Sequence, residues 1–276
     1  MRRAGTGVRG GIAGTEDPWS PEQYERFRAE REQPFWDLLR LIEVSDRGRV
    51  VDLGCGTGVL TRELHRALRA RETVGVDSSE SMLARTREVH APGLRFVRGD
   101  IAEWMPEESC DVVFSNAALQ WLDHHHELFA RLRTFLAPGG VLAVQVPANY
   151  DHASHTVAAG VALEEAFASA MDGYTRSSTV LTPEAYAEML YALGLRDLHV
   201  RLQVYAHELD STSDVVEWVR GTLLTDYKPR MPEAMFAEYV ARYRTRLLDT
   251  LGDQHPYLFA FKRILMRGTA PATGSS

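Results

Sequence analysis

The chain has 276 residues, 45% of them apolar, and a formal charge of −7 at neutral pH. That size suits one large α/β core with elaborations, and the negative charge without a concentrated basic patch excludes a nucleic-acid partner. No run of eighteen apolar residues and no apolar signal region occur, so neither membrane nor secretion is indicated, and two isolated cysteines, Cys55 and Cys110, suit a cytoplasmic protein without a disulfide or zinc framework.

Residues 1–16, rich in Gly and Arg, and the Ala/Thr/Gly/Ser stretch at 269–276 are expected to be disordered, which leaves a domain over 17–268. A helix is predicted from Ser20, with Ser20 as cap and Pro21 at its first position, and a second helix is predicted after Pro34. Strands are then predicted near 49–53, 73–77, 94–98, 111–115 and 139–146, separated by helical segments. Such alternation means an α/β fold with a doubly wound, mostly parallel sheet and right-handed crossovers.

After Pro147 the pattern changes. Helices are predicted at about 152–170, 183–193, 213–224 and 232–251, with strands near 197–208 and 257–266. The helical stretches at about 149–180 and 211–251 read as insertions that form a lid.

The run Val50-Val51-Asp52-Leu53-Gly54-Cys55-Gly56-Thr57-Gly58 reads as a buried strand that ends in a glycine turn and opens the helix beginning at Val59. Glycines at alternate positions allow positive φ and let a ligand approach the backbone. The second strand closes on Asp77, about twenty residues past the turn, where an acidic side chain is placed to accept both hydroxyls of a ribose. Ligands of such sheets bind at the carboxyl ends of the strands. Gly54, Asp77, Asp100, Asn116 and Gln145 all fall at those ends and should share one crevice.

The spacing G-x-G-x-G after Asp52 differs from the dinucleotide turn G-x-G-x-x-G, and no Tyr-x-x-x-Lys pair occurs, which disfavours a nicotinamide reductase. Asp52 to Gly58 resembles the S-adenosylmethionine loop of the Rossmann-like methyltransferases, and the resemblance extends through Asp77-Ser78 and Gly99-Asp100-Ile101. It implies S-adenosylmethionine as cofactor and S-adenosylhomocysteine as product, with Asp52, Gly54, Cys55, Gly56, Gly58, Asp77, Ser78, Met82, Asp100 and Ile101 around the cofactor. Structural alternatives stand beside these roles: Asp52 could tie down its own turn, Asp77 and Asp100 could cap helices, and Met82 and Ile101 could be core.

More of the chain resembles one family, the trans-aconitate methyltransferases, over roughly residues 17–267. The matching segments are Trp19-Ser20-Pro21-Glu22-Gln23-Tyr24 with Phe27 and Arg31, Ser115-Asn116-Ala117-Ala118-Leu119-Gln120-Trp121, Val144-Gln145-Val146-Pro147-Ala148-Asn149 and Glu217-Trp218-Val219-Arg220-Gly221-Thr222. The resemblance implies a seven-stranded sheet with an antiparallel last strand, and methyl transfer to a carboxylate oxygen of a small organic acid. It adds Arg31, Asn116, Ala117 and Trp121 to the cofactor set and Tyr24, Gln120, Asn149, Trp218 and Arg220 to an anionic acceptor. No catalytic base is expected, because a carboxylate is already ionised and alignment alone can supply roughly 7–11 kcal/mol of the barrier.

The tetrapeptide Asn116-Ala117-Ala118-Leu119 departs from the N-P-P-Y type of methyltransferases acting on base amines. Where the family has an arginine a few residues past the Trp-Val-x-Gly-Thr segment, this chain has Thr225, and Lys228 or Arg230 stand as substitutes. His124-His125-His126 reads as a helix start with one ring turned to the crevice rather than a metal site, since consecutive histidines diverge around a helix. Two alternatives stay open: a small-molecule O- or N-methyltransferase acting on another metabolite or natural product, and a cofactor-binding relative without methyl transfer. Oligomeric state carries no signal in the sequence.

Overall fold

Short β-branched and apolar runs assemble into one seven-stranded sheet in the computed structural model, which describes residues 28–43 and 48–272. The strands are Arg49–Leu53 (β1), Glu72–Asp77 (β2), Leu94–Arg98 (β3), Cys110–Asn116 (β4), Leu136–Pro147 (β5), Arg196–Leu209 (β6) and Tyr257–Thr269 (β7), in the order β3-β2-β1-β4-β5-β7-β6. β7 runs antiparallel to both of its neighbours, and the other pairings are parallel. The order reverses between β1 and β4, so the loops leaving those two strands diverge and open a crevice.

Both faces of the sheet are covered, because successive side chains of a strand point to opposite sides. Val51, Leu53 and Val113 pack with Phe129 and Leu132 of His125–Thr134 (α4) and with Tyr186 and Leu190 of Pro183–Ala192 (α7). Val50, Val112 and Phe114 face Phe35 and Leu38 of Arg28–Leu39 (α1) and Leu64 of Val59–Ala67 (α2). Between β2 and β3 lies the short helix Glu80–Arg85 (α3), capped by Ser79.

A third core unites the two helical stretches. Val161 of Ala153–Ala162 (α5), Phe167 of Glu165–Ala170 (α6), Trp218 of Asp214–Arg220 (α8) and Tyr239 and Tyr243 of Glu233–Leu251 (α9) pack together and against Phe259 and Phe261 of β7. The buried phenols find backbone acceptors in α5, Tyr239 at the carbonyl of Ala158 (2.9 Å) and Tyr243 at that of Ser154 (3.1 Å).

Four local expectations change. The helix expected to start after Pro34 runs through it from Arg28, because burial of Phe35, Leu38 and Leu39 offsets the one missing N–H of the proline. The single helix expected over 152–170 breaks at Glu164, which is extended (φ −66°, ψ 141°) and places its carboxylate against Arg242 (2.6 Å) and Arg246 (2.8 Å) of α9. The helix expected to reach residue 224 stops at Gly221, and a 3₁₀ turn follows over Leu223–Asp226. Disorder was expected from residue 269, yet β7 includes Thr269, and Ala270 is buried and donates to the carbonyl of Gly140. The helix expected from Ser20 begins outside the described residues, as do residues 1–16 and 273–276. No helix among the described residues is long and apolar enough to cross a membrane.

Candidate functional site

The glycine turn is held by β2. The N–H groups of Gly54 and Cys55 donate to the carbonyl of Val76 (2.8 and 3.0 Å), and that of Gly56 donates to Asp77 Oδ2 (2.8 Å). Gly54 has φ +82°, and a Cβ there would stand 2.2 Å from the Ala118 Cβ, so only glycine lets the β4 loop close over the turn. At Gly56 an added Cβ would meet nothing within 4 Å, which leaves its backbone open to the crevice. Gly58 instead packs α2 on the sheet, where a Cβ would sit 2.6 Å from the Phe96 ring.

The first cavity lies over this turn. Its wall includes Asp52, Gly54, Cys55, Gly56, Asp77, Ser78, Met82, Asp100, Ile101, Asn116, Ala117 and Trp121, each named from the sequence. Glu32, Phe35, Thr57, Leu60, Ala118 and Leu122 also line it, without a site role in the sequence reading. Gly58 does not line it, Arg31 belongs to α1 but its side chain is outside the described residues, and Tyr24 is wholly outside them.

Among the described residues, four carboxylates face this cavity and no arginine or lysine does. Asp77 accepts from Gly56 through one oxygen and from the Ser79 N–H (2.9 Å) through the other, while Ser79 itself caps α3 through Met82 N. Each carboxylate oxygen has further lone-pair capacity. Asp100 accepts from Ala102 N (2.8 Å) and caps the turn leading to Trp104, and Arg131 of α4 clamps that turn through the carbonyls of Ile101 and Trp104. Asp52 is buried and accepts from Thr61 Oγ1 at 2.6 Å. Burial, reinforced by the charge of Asp77, pushes its carboxyl up to about 7. Burial likewise pushes the Cys55 thiol far up, so it stays protonated.

Asn116 ends β4 with its Oδ1 buried and without a hydrogen-bond partner among the described residues. A buried acceptor of this kind is open to a donor from a water or a ligand.

A second cavity adjoins the first and shares Ala117 and Trp121 with it. Gln120 and Trp218 line it, together with Pro147, Tyr150, His155, Arg176, Val219, Thr222, Leu223, Phe261 and Arg263, to which the sequence reading gave no site role. Among the described residues no carboxylate lines it. Arg176 comes from the irregular segment between α6 and α7. Its guanidinium lies 4.3 Å from the Trp121 ring, donates to the Gln120 carbonyl (3.0 Å) and stands 3.4 Å from Asp226. Arg263 of β7 is only 4% exposed, donates to Gln145 Oε1 at 3.4 Å and lies over the Phe261 ring. Burial lowers the His155 ring to about 4, so it is neutral at pH 7.

Other sequence candidates lie elsewhere. Gln145, expected in the common crevice, is fully buried on β5, where it holds Arg263. Asn149 is buried and accepts from the Lys262 N–H at the start of the helical stretch, outside both cavity walls. Arg220 is half exposed and faces Glu217 (3.9 Å). Thr225 donates to the Thr222 carbonyl, Lys228 is exposed, and Arg230 is spent on Asp226 and the Tyr174 ring. His125 turns into the core, not the crevice, bonding Tyr186 Oη (2.6 Å) and the Leu119 carbonyl.

A family model described as a methyltransferase domain matches residues 50–140. Trans-aconitate 2-methyltransferase of Deinococcus radiodurans is 43% identical over 259 residues, covering 92% of this chain and 98% of that protein. The enzyme of the same name from Variovorax paradoxus is 39% identical over 231 residues, covering 83% and 88%. Among solved structures, phosphoethanolamine N-methyltransferase 2 of Haemonchus contortus in complex with S-adenosyl-L-methionine aligns with a TM-score of 0.53 at 18% identity, covering 87% of this chain and 52% of that one. The YcgJ protein of Bacillus subtilis aligns at 0.55 and 16% identity, covering 87% and 99%. At such identities the structural likeness speaks to the fold.

Proposed function

The chain belongs to the S-adenosylmethionine-dependent trans-aconitate methyltransferase family, and we propose that it methylates a carboxylate oxygen of a small, trans-aconitate-like organic acid held in the second cavity. One observation carries this reading: an acidic cavity and a basic cavity meet at Ala117 and Trp121. A cationic donor suits the first and an anionic acceptor the second.

The residues of the first cavity fit the cofactor. Asp77, at the tip of β2, takes the ribose hydroxyls; Asp100, Ile101 and Met82 border the base; Asp52 and the turn at Gly54–Gly56 face the amino-acid end, where the unpartnered Oδ1 of Asn116 accepts from its ammonium. When bound, S-adenosylmethionine supplies a methyl group already activated by the sulfonium.

Chemistry at the junction asks little of the protein beyond placement. An ionised carboxylate attacks the methyl carbon in line, the carbon–sulfur bond breaks, and a methyl ester and a thioether result without transfer of a proton. Opposite charges are consumed together, so a dry junction favours the transition state over the separated, solvated ions. Neutral His155 and the Tyr150 phenol, raised by burial, supply polar contacts there without acting as bases. The helices α5, α6, α8 and α9 act as the cover that excludes water.

Purified protein with methyl-labelled cofactor and a panel of mono-, di- and tricarboxylates tests the proposal. Label released as a volatile product by base is the expected result. Label transferred only to amines or phenols, and stable to base, would overturn it.

A further inference from the structure

We propose that Arg176 and Arg263 are two separate carboxylate anchors, which make the second cavity selective for an acceptor with two carboxylates beyond the one that is methylated. The inference rests on the acceptor reading above and names the side chains that set its specificity.

Two guanidinium groups line one cavity, and among the described residues no carboxylate shares its wall. They reach it from opposite ends of the chain's second half: Arg176 from the segment between α6 and α7, Arg263 from the middle of β7. Both are pinned. Arg176 is fixed by the Trp121 ring, the Gln120 carbonyl and Asp226, with its side chain 11% exposed. Arg263 is fixed by Gln145 and the Phe261 ring, within a row of inward residues that is otherwise apolar and aromatic.

A guanidinium carries five donors in a planar fork, and both groups line the cavity. A cavity-facing edge of such a fork matches a carboxylate in a bidentate pair, which also fixes its orientation. Arg176 rests on Trp121 and Asp226 and Arg263 on Phe261 and Gln145, and on these different supports the two are assigned to different groups of one ligand. The Trp121 ring under Arg176 is also a wall of the first cavity, so an acid gripped there is registered against the methyl donor. Carboxylate binding by Arg176 and Arg263 thus fills the place for which the sequence offered Lys228 and Arg230.

Calorimetry on the full-length protein saturated with S-adenosylhomocysteine, titrated with trans-aconitate, mesaconate and crotonate, tests this with acids of three, two and one carboxylates. Wild-type affinity should fall on the order of tenfold or more with each carboxylate removed. Arg176→Gln and Arg263→Gln should each weaken trans-aconitate on the order of 30-fold, with losses that shrink as carboxylates are removed, while S-adenosylhomocysteine binds as in the wild type. Arg263→Lys should recover part of the loss, since it keeps the charge without the fork.

Equal losses across the three acids, or no loss, would overturn the assignment. Should Arg263→Gln not fold, Arg176→Gln, which lies outside the sheet, decides. A wild type that methylates and grades the acids while both variants grade them equally well removes the anchors alone. A wild type that binds S-adenosylhomocysteine but none of the acids removes the acceptor reading with them.

Discussion

The two cavities differ in charge and in how the chain builds them. The first is made at the tips of β1, β2, β3 and β4, within residues 52–122 apart from Glu32 and Phe35 of α1, and its ionisable wall is acidic. The second gathers residues from 117 to 263, and its charged wall is basic. A local, glycine-dependent cavity can be shared by many relatives, whereas a cavity assembled from distant segments can change its ligand by exchanging one side chain. Donor binding and acceptor choice are therefore separable in this molecule.

Substitutions can break that separation, and the largest effect is expected at Asp77. Asp77→Ala removes the ribose acceptor and the Gly56 tether together. With charge-assisted bonds of about 1.5–3 kcal/mol each, affinity for S-adenosylhomocysteine should fall at least about 100-fold while circular dichroism stays native; unchanged affinity would place the ribose elsewhere. Gly54→Ala adds a Cβ 2.2 Å from Ala118 at φ +82°. It should cost about 1–3 kcal/mol in urea unfolding, and a second change, Ala118→Gly, should restore only the part due to the clash.

Asp52→Asn sharpens the electrostatic side. The folded carboxyl, near 7, lies above its ordinary value, so its contribution to stability is fully present at low pH and is lost as pH rises through 7. The amide cannot ionise and can still accept from Thr61. Cofactor-free Asp52→Asn should therefore melt a few degrees above wild type at pH 8, with the gap narrowing steadily as pH falls toward 4, and a pH-independent difference would contradict the assignment. The smallest effect is expected for Arg220→Ala and Lys228→Ala, which lie outside both walls. Acceptor KM should move by less than about twofold, as expected for solvated surface charges; a larger rise in either would restore it as an anchor.

The same contrast explains what the sequence revealed. All seven strands are legible because each carries either a short apolar run or, as in β6 and β7, an alternation of apolar residues, and the first cavity follows because strand tips in a parallel sheet must converge at the switch between β1 and β4. Motifs near the tips, from Asp52 to Trp121, are local and so carry their own geometry. Arg176 lies in a stretch without periodicity, and nothing nearby announces that it crosses to Trp121. Arg263 did leave a signal. Tyr257, Phe259, Phe261, Arg263 and Leu265 occupy alternate, buried positions of β7, so a charge interrupts an inward apolar row. Buried charges need partners, and that interruption marks a place where a ligand or a paired polar group must stand. Arg220 and Lys228 misled because proximity to a motif in sequence fixes neither the side of a helix nor its exposure.

A crystal structure of the full chain with S-adenosylhomocysteine and trans-aconitate tests the central claim most directly. The account predicts the thioether sulfur in the acidic cavity and the acid in the basic one, with a carboxylate oxygen facing the sulfur beside Ala117 and Trp121. An acid bound outside the basic cavity, or turned so that no carboxylate meets the sulfur, would contradict it.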